Sequence, residues 1–274
     1  MQGKRVLITG GNSGIGLVAS IELAKMGAEI VLACRESDKT QAALEQINEH
    51  SSIEATNLSV DLASLESVRG LARAYTAKYD RLDVLINNAG TFPTKQAHTQ
   101  EGYEMQFGVN HLSHFLLTDL LLETLKASAP ARVVTVSSTL HKKGAIDFES
   151  FKGVEKYNSQ KAYGQSKLAN VLFAVELAKR LEGTGVTSNV LHPGGVDTDI
   201  VRDLPWLIRK IIGLIFISPE EGAKTTIMLA SDPELESITG KYYDQCKLTE
   251  PSSLADDAAL REKLWAVSEA AIST

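Results

Sequence analysis

Cysteine is scarce in this chain: Cys34 and Cys246 are the two present among 274 residues. Two thiols build neither a disulfide framework nor a cluster at metal-ligand spacing, so a stapled scaffold is excluded and no metal is expected. Absent too is an apolar run long enough to cross a bilayer. The most apolar stretch, Leu204–Ile217, is short and is broken by Arg209 and Lys210. Positive charge is not in excess, and a net charge of −6 argues against a general binder of nucleic acid or anionic membrane. No internal repeat, low-complexity tract or linker divides the sequence. Lys4-Arg5-Val6-Leu7-Ile8 already reads as a core strand, which leaves no room for a signal peptide before it. The expectation is one soluble domain over residues 1–274, suited to the reducing cytoplasm, with peripheral membrane contact left open.

What is present is a regular alternation. Short runs rich in Val, Ile and Leu occur at Arg5–Thr9, Glu29–Cys34, Ile53–Val60, Leu82–Asn87, Arg132–Ser137 and Val186–His192. They alternate little between apolar and polar, as strands buried on both faces do. Amphipathic patterns at Gly14–Lys25, Ser64–Lys78, Tyr103–Lys126 and Gln160–Glu182 predict helices between them. Ser218-Pro219-Glu220-Glu221 is a capping box with proline at the first helical position. Repeated βα units predict an α/β fold, a doubly wound parallel sheet of Rossmann type with helices on both faces.

Thr9-Gly10-Gly11-Asn12-Ser13-Gly14-Ile15-Gly16 joins the first strand to the first helix. Glycines there let the backbone turn and approach a pyrophosphate, and the helix start offers unpaired N–H groups. No Lys-Ser or Lys-Thr follows, so this is not a P-loop. The candidate dinucleotide contacts are Gly10, Asn12, Ser13, Gly14, Ile15 and Gly16. Arg35, at the end of the second strand, suits the 2′-phosphate of NADP(H). Its neighbour Glu36, turned inward, would instead favour NAD(H), which stands second. Asp61, with Leu62, follows the third strand; it fits an adenine-side contact and a helix cap equally well. Asn88, Ala89 and Gly90, after the fourth strand, allow a cofactor close access, although a plain turn uses the same residues.

Tyr163 and Lys167 are four residues apart on a predicted helix and so share a face. Tyrosine, with an ordinary pKa near 10, is a poor base at neutral pH, and a neighbouring cation lowers that value. Ser138 ends the fifth strand, a natural place for a hydroxyl facing the cleft. His111 and His114 at helical spacing read as core or supporting histidines rather than metal ligands. Trp265 reads as core or subunit packing.

With these landmarks in order, the sequence resembles the short-chain dehydrogenase/reductase family over essentially its whole length. Ala33-Cys34-Arg35, Gly108-Val109-Asn110-His111-Leu112 and Ser166-Lys167-Leu168-Ala169-Asn170 resemble its retinol-dehydrogenase-like branch, as does the wide separation of Ser138 from Tyr163. The resemblance implies a catalytic set of Asn110, Ser138, Tyr163 and Lys167. Ser138 would orient the substrate oxygen and Tyr163 would exchange a proton with it. Lys167 would lower the tyrosine pKa and hold the nicotinamide ribose, and Asn110 would position a water linking Lys167 to solvent. Pro193, Gly194, Val196 and Thr198 would wall the nicotinamide, and residues 199–217 would form an apolar substrate flap. It also implies a homodimer or homotetramer built on the helices carrying Asn110 and Tyr163. The expected reaction is NADP(H)-dependent interconversion of an alcohol and a carbonyl on an apolar, retinoid-like or long-chain substrate. The alternatives are a non-enzymatic dinucleotide-binding or interaction protein on the same fold, and an olefin reductase resembling protochlorophyllide reductase.

Overall fold

The computed structural model describes residues 1–194 and 218–273. The expected flap, together with Val196 and Thr198, lies outside the described residues. Eight strands form one sheet in the order β3-β2-β1-β4-β5-β6-β7-β8. They are β1 (Arg5–Thr9), β2 (Glu29–Cys34), β3 (Thr56–Ser59), β4 (Val84–Asn87), β5 (Ala131–Val136), β6 (Val186–His192), β7 (Tyr242–Asp244) and β8 (Lys247–Leu248). All neighbours run parallel except β7 and β8. The order reverses between β1 and β4, so their carboxyl ends open the crevice where a doubly wound sheet takes its ligand.

Alternate residues of each strand feed two cores. Leu7, Val31, Leu85 and Val133 point into one, beneath α3 (Leu65–Lys78), α5 (Ser113–Leu120), α7 (Ser159–Arg180) and α9 (Ala258–Ile272). Val6, Ile8, Ile30, Leu32, Ile86 and Val134 point into the other, beneath α1 (Gly14–Lys25), α2 (Asp38–Asn48) and α8 (Pro219–Ser231). This is why the strand sequences show so little alternation. Serine hydroxyls cap where the sequence predicts: Ser64 accepts from the Ser67 amide, and Ser218 from the Glu221 amide. The Glu221 carboxylate pairs with Lys224.

Four predicted elements differ in their bounds. The third strand begins at Thr56 rather than Ile53, because the Asn48 side chain accepts from the Ala55 amide at 2.8 Å and holds the preceding residues in a turn. The fourth starts at Val84, the Leu82 amide donating to the Ser128 hydroxyl at 2.8 Å. The fifth covers Ala131–Val136. The long helix predicted over Tyr103–Lys126 is instead broken into α4 (Met105–Phe107), a π turn (Gly108–Leu112), α5 and α6 (Leu122–Ala127). Its start is fixed by the buried Glu104 carboxylate, which accepts from the Gln106 and Phe107 amides.

Trp265 of α9 packs edge-on to Phe115 at 4.8 Å and stacks with Phe173 at 5.9 Å between centroids. Arg180 lies over the indole, and Arg261 pairs with buried Glu176. Through these contacts α9 packs against α5 and α7. Replacing Trp265 by Ala should cost about 3–5 kcal/mol of stability, as deletion of a buried indole does. Urea unfolding checks it; an unchanged midpoint contradicts the packing role.

Candidate active site

The crevice is built first by the β1–α1 loop. Gly10 has φ of +65°, a conformation costly for any side chain, and a Cβ on Gly16 would strike the Gly10 carbonyl and the Asn88 amide nitrogen. The helix that follows is left open. Ser13 is the N-cap of α1 but makes no side-chain cap, and no acidic residue stands in the first turn. At α2, α3, α7, α8 and α9 the N-cap side chain does accept an amide. Free amides and the positive dipole end at α1 fit a pyrophosphate. Asn12 turns away from that space, donating to Thr40 Oγ1 at 2.8 Å, and the Thr40 hydroxyl donates to the Arg35 carbonyl at 2.7 Å.

Arg35 is exposed at the end of β2, and its guanidinium has no hydrogen-bond partner among the described residues. Glu36 accepts from Asn57 Nδ2 at 2.9 Å, which ties it to β3. Asp61 does not cap α3. Its Oδ1 accepts from the Ala63 amide in a local turn, while Ser64 caps the helix. Leu62 is half-buried and its carbonyl accepts from the Ser113 hydroxyl at 2.6 Å.

Beyond β4 the Asn88 side chain donates to the Thr9 carbonyl at 2.8 Å. The Asn88 and Ala89 amides both donate to Thr9 Oγ1 at 3.0 Å. Gly90 lies where a Cβ would touch Asn110 Oδ1 and Lys167 Nζ, each at 3.5 Å. Asn110 is fully buried in the π turn. Its Oδ1 accepts from the Thr91 amide, and its Nδ2 donates to the Thr91 carbonyl and to Ser166 Oγ. Ser166 in turn donates to the Tyr163 carbonyl at 2.9 Å, so the strand-end loop and the helix carrying Tyr163 are clamped together.

Tyr163 hydrogen-bonds with Ser138 and packs edge-on to Phe92 at 5.1 Å. Lys167 Nζ donates to the Val136 carbonyl at 3.1 Å and stands 5.6 Å from the Tyr163 ring centroid. Both are buried. Burial pushes the phenol up to about 12, and the Ser138 hydroxyl offsets that only in part. Burial lowers Lys167 to about 8. In the free chain desolvation outweighs the Ser138 contact and favours the protonated phenol, the state needed to donate a proton. Pro193 and Gly194 follow β6 at the same edge, with Gly194 at φ of +94°.

Four residues of this region escaped the sequence reading. Thr40 carries no motif signal, and Ser166 lies inside a matching motif without a role of its own. The hydroxyl of Thr9 lay inside the glycine motif without a role, and His114 was read only as bland support.

The profile of the family described as short chain dehydrogenase matches residues 4–205. The chain belongs to that family. Human retinol dehydrogenase 14 is 46% identical over 98% of this chain and 86% of its own length. Human retinol dehydrogenase 13 is 45% identical over 97% of this chain and 83% of its own length. These place it in the retinol-dehydrogenase-like branch. Among solved structures, an uncharacterised protein of Mycobacterium paratuberculosis superposes with a TM-score of 0.81 at 34% identity, covering 100% of this chain and 94% of its own. An NADP complex of RhlG from Pseudomonas aeruginosa gives 0.71 at 26% identity, over 89% of this chain and 95% of its own.

The lowered Lys167 value carries a pH signature. Its ammonium is present below about 8 and is lost as pH rises through that value. The kcat/KM for carbonyl reduction should therefore hold on the acid side and fall above about pH 8. A profile that climbs steadily from pH 7 to 10 would contradict it.

Proposed function

We propose that this short-chain dehydrogenase interconverts an alcohol and a carbonyl with NADP(H), on an apolar substrate, using Tyr163 as the proton-exchanging group. The single observation that carries the reading is the Tyr163 phenol, buried between Ser138 and Lys167 at the crevice where α1 presents its uncapped amides.

The uncapped start of α1 and the small residues around it suit a dinucleotide. Gly10, Ser13, Gly14, Ile15 and Gly16 would face the pyrophosphate, and Asp61 with Leu62 the adenine side. Ala89, Gly90, Pro193 and Gly194 would line the nicotinamide end, and Lys167 would hold its ribose. Asn12 and Asn88 act behind this surface, because their amides bond to the protein. The nicotinamide, when bound, supplies or takes up the hydride. In reduction Ser138 donates a hydrogen bond to the carbonyl oxygen, and Tyr163 delivers a proton to it as negative charge develops. The phenolate left behind is neutralised by proton return through Lys167, whose raised acidity suits that transfer. Oxidation runs the same steps backwards and needs cationic charge near Tyr163 to overcome its burial.

Preference for NADP(H) is supported by the exposed Arg35 guanidinium, unpaired among the described residues, and by Glu36 being held against Asn57. Apolar substrates are supported by the sequence Pro205–Phe216 and by the retinol dehydrogenases among the relatives.

Arg35→Asp should raise the KM for NADPH at least about tenfold while leaving that for NADH little changed, since one charge-assisted contact is lost. Equal effects on both cofactors would overturn the assignment. Tyr163→Phe should lower kcat by roughly 10²- to 10⁴-fold with NADPH binding retained in fluorescence titration. A panel of retinoid, long-chain and small polar carbonyls tests the substrate class; exclusive turnover of small polar ketones refutes it.

A further inference from the structure

His114 is a buried histidine that the proposed chemistry leaves unused, and its hydrogen bonds run in one direction. Its Nδ1 lies 3.0 Å from the Asn110 carbonyl oxygen, which only accepts. Nδ1 therefore bears the ring proton and Nε2 bears a lone pair. Nε2 lies 2.8 Å from Thr9 Oγ1. That oxygen already accepts two amides, from Asn88 and Ala89, so its single hydrogen is the one left to donate. The chain of donors thus runs from the Asn88–Ala89 amides to the Thr9 hydroxyl, through the imidazole, and ends on the Asn110 carbonyl.

We infer that His114 is a positioning residue, which fixes the Asn110 main chain in the π turn from the loop that faces the cofactor. This rests on the alcohol–carbonyl reading above. The π turn explains why a side chain is needed there: the Ser113 amide bonds five residues back to Gly108, outside the usual α-helical ladder. An imidazole four residues along supplies the Asn110 carbonyl with a donor from inside the core. Asn110 in turn holds Thr91 and, through Ser166, the carbonyl of Tyr163.

The ring stays neutral in this role. It is buried, and the titratable groups facing it are Lys167 and His111. Burial, reinforced by the Lys167 ammonium, lowers His114 to about 4. Protonation would convert the Nε2 acceptor into a donor aimed at a hydroxyl, breaking the chain at its middle.

Removing the ring has an asymmetric consequence. Without His114 the Thr9 hydroxyl still has the Ile86 carbonyl, at 3.4 Å, so the amides of Asn88 and Ala89 keep their acceptor. The Asn110 carbonyl loses its side-chain donor. His114→Leu should therefore lower kcat roughly 10- to 100-fold, as for an unsatisfied buried polar group, with NADPH affinity within about twofold of the parent. His114→Gln, which offers an N–H to Asn110 and an oxygen to Thr9, should recover kcat to within about threefold. Loss of kcat and cofactor affinity in parallel, an unchanged kcat in the Leu variant, or equal damage by Gln and Leu would each overturn the inference. Nitrogen-15 NMR of the histidine-labelled chain without cofactor gives a readout separate from turnover. It should show Nδ1 protonated and Nε2 bare from pH 5.5 to 8.5; the other tautomer, or a titration in that range, sinks the assignment. A parent protein that turns over no carbonyl would instead refute the proposed activity, with the ring state still deciding the geometry.

Discussion

The hydroxyl of Thr9 joins three chain segments that sequence keeps far apart. It ends β1, accepts two amides from the turn after β4, and donates to the imidazole behind the π turn. All three segments lie at the carboxyl edge of the sheet, where the order reverses between β1 and β4. A parallel sheet leaves its strand ends with unpaired amides and carbonyls, and in a buried crevice each one needs a partner. Here much of that need is met by short polar side chains: Thr9 accepts the Asn88 and Ala89 amides, Asn88 donates to the Thr9 carbonyl, and Asn110 pairs with the amide and carbonyl of Thr91. The residues that satisfy the sheet edge are also those that fix the crevice.

Beside these pairs, three groups keep unused hydrogen-bonding capacity among the described residues. The start of α1 lacks a cap, the Arg35 guanidinium has no partner among the described residues, and the Lys167 ammonium has one carbonyl for its three hydrogens. Burial then sets their protonation. It raises Tyr163 and lowers Lys167, each toward its uncharged form. The two shifts draw the values apart, about 12 against about 8, so the uncharged pair is favoured until charge on an incoming ligand opposes burial. Desolvation, rather than the helical proximity of an ammonium, is the main determinant of the phenol in the free chain.

Much of this was legible in the sequence because the signals are local. The glycine loop, the Val/Ile/Leu runs and the Ser218 capping box each declare themselves within a few residues, and the sheet with its two covered faces follows from them. Tyr163 and Lys167 are legible for the same reason, since four residues is one helical turn. What was not legible depends on distant partners. The start of β3 is decided by Asn48, and the break at Gly108–Leu112 by the Glu104 carboxylate and the contacts of Asn110. Glu36 remained ambiguous in the sequence because its direction depends on Asn57, on another strand. The covering of α5 and α7 by α9 rests on Trp265 meeting Phe115 and Phe173, contacts that span most of the chain.

A second histidine shows that a carbonyl clamp of this kind is used more than once here. His141 Nδ1 lies 2.6 Å from the Ser138 carbonyl, and its Nε2 accepts from the Ser252 amide at 3.0 Å. A backbone N–H can only donate, so this ring too is neutral with its proton on Nδ1. Burial lowers its pKa, as it does that of His114. Thus the main chain of Ser138 is gripped from the segment after β8, and that of Asn110 from the end of β1. A lysine or arginine could donate to the same carbonyls, but it would place another fixed charge beside Tyr163 and Lys167. In a low-dielectric site such a charge shifts both pKa values by amounts comparable with the burial effect itself. Neutral imidazoles fix the reacting groups while leaving the electrostatics of the crevice to Lys167 and to the ligand that enters it.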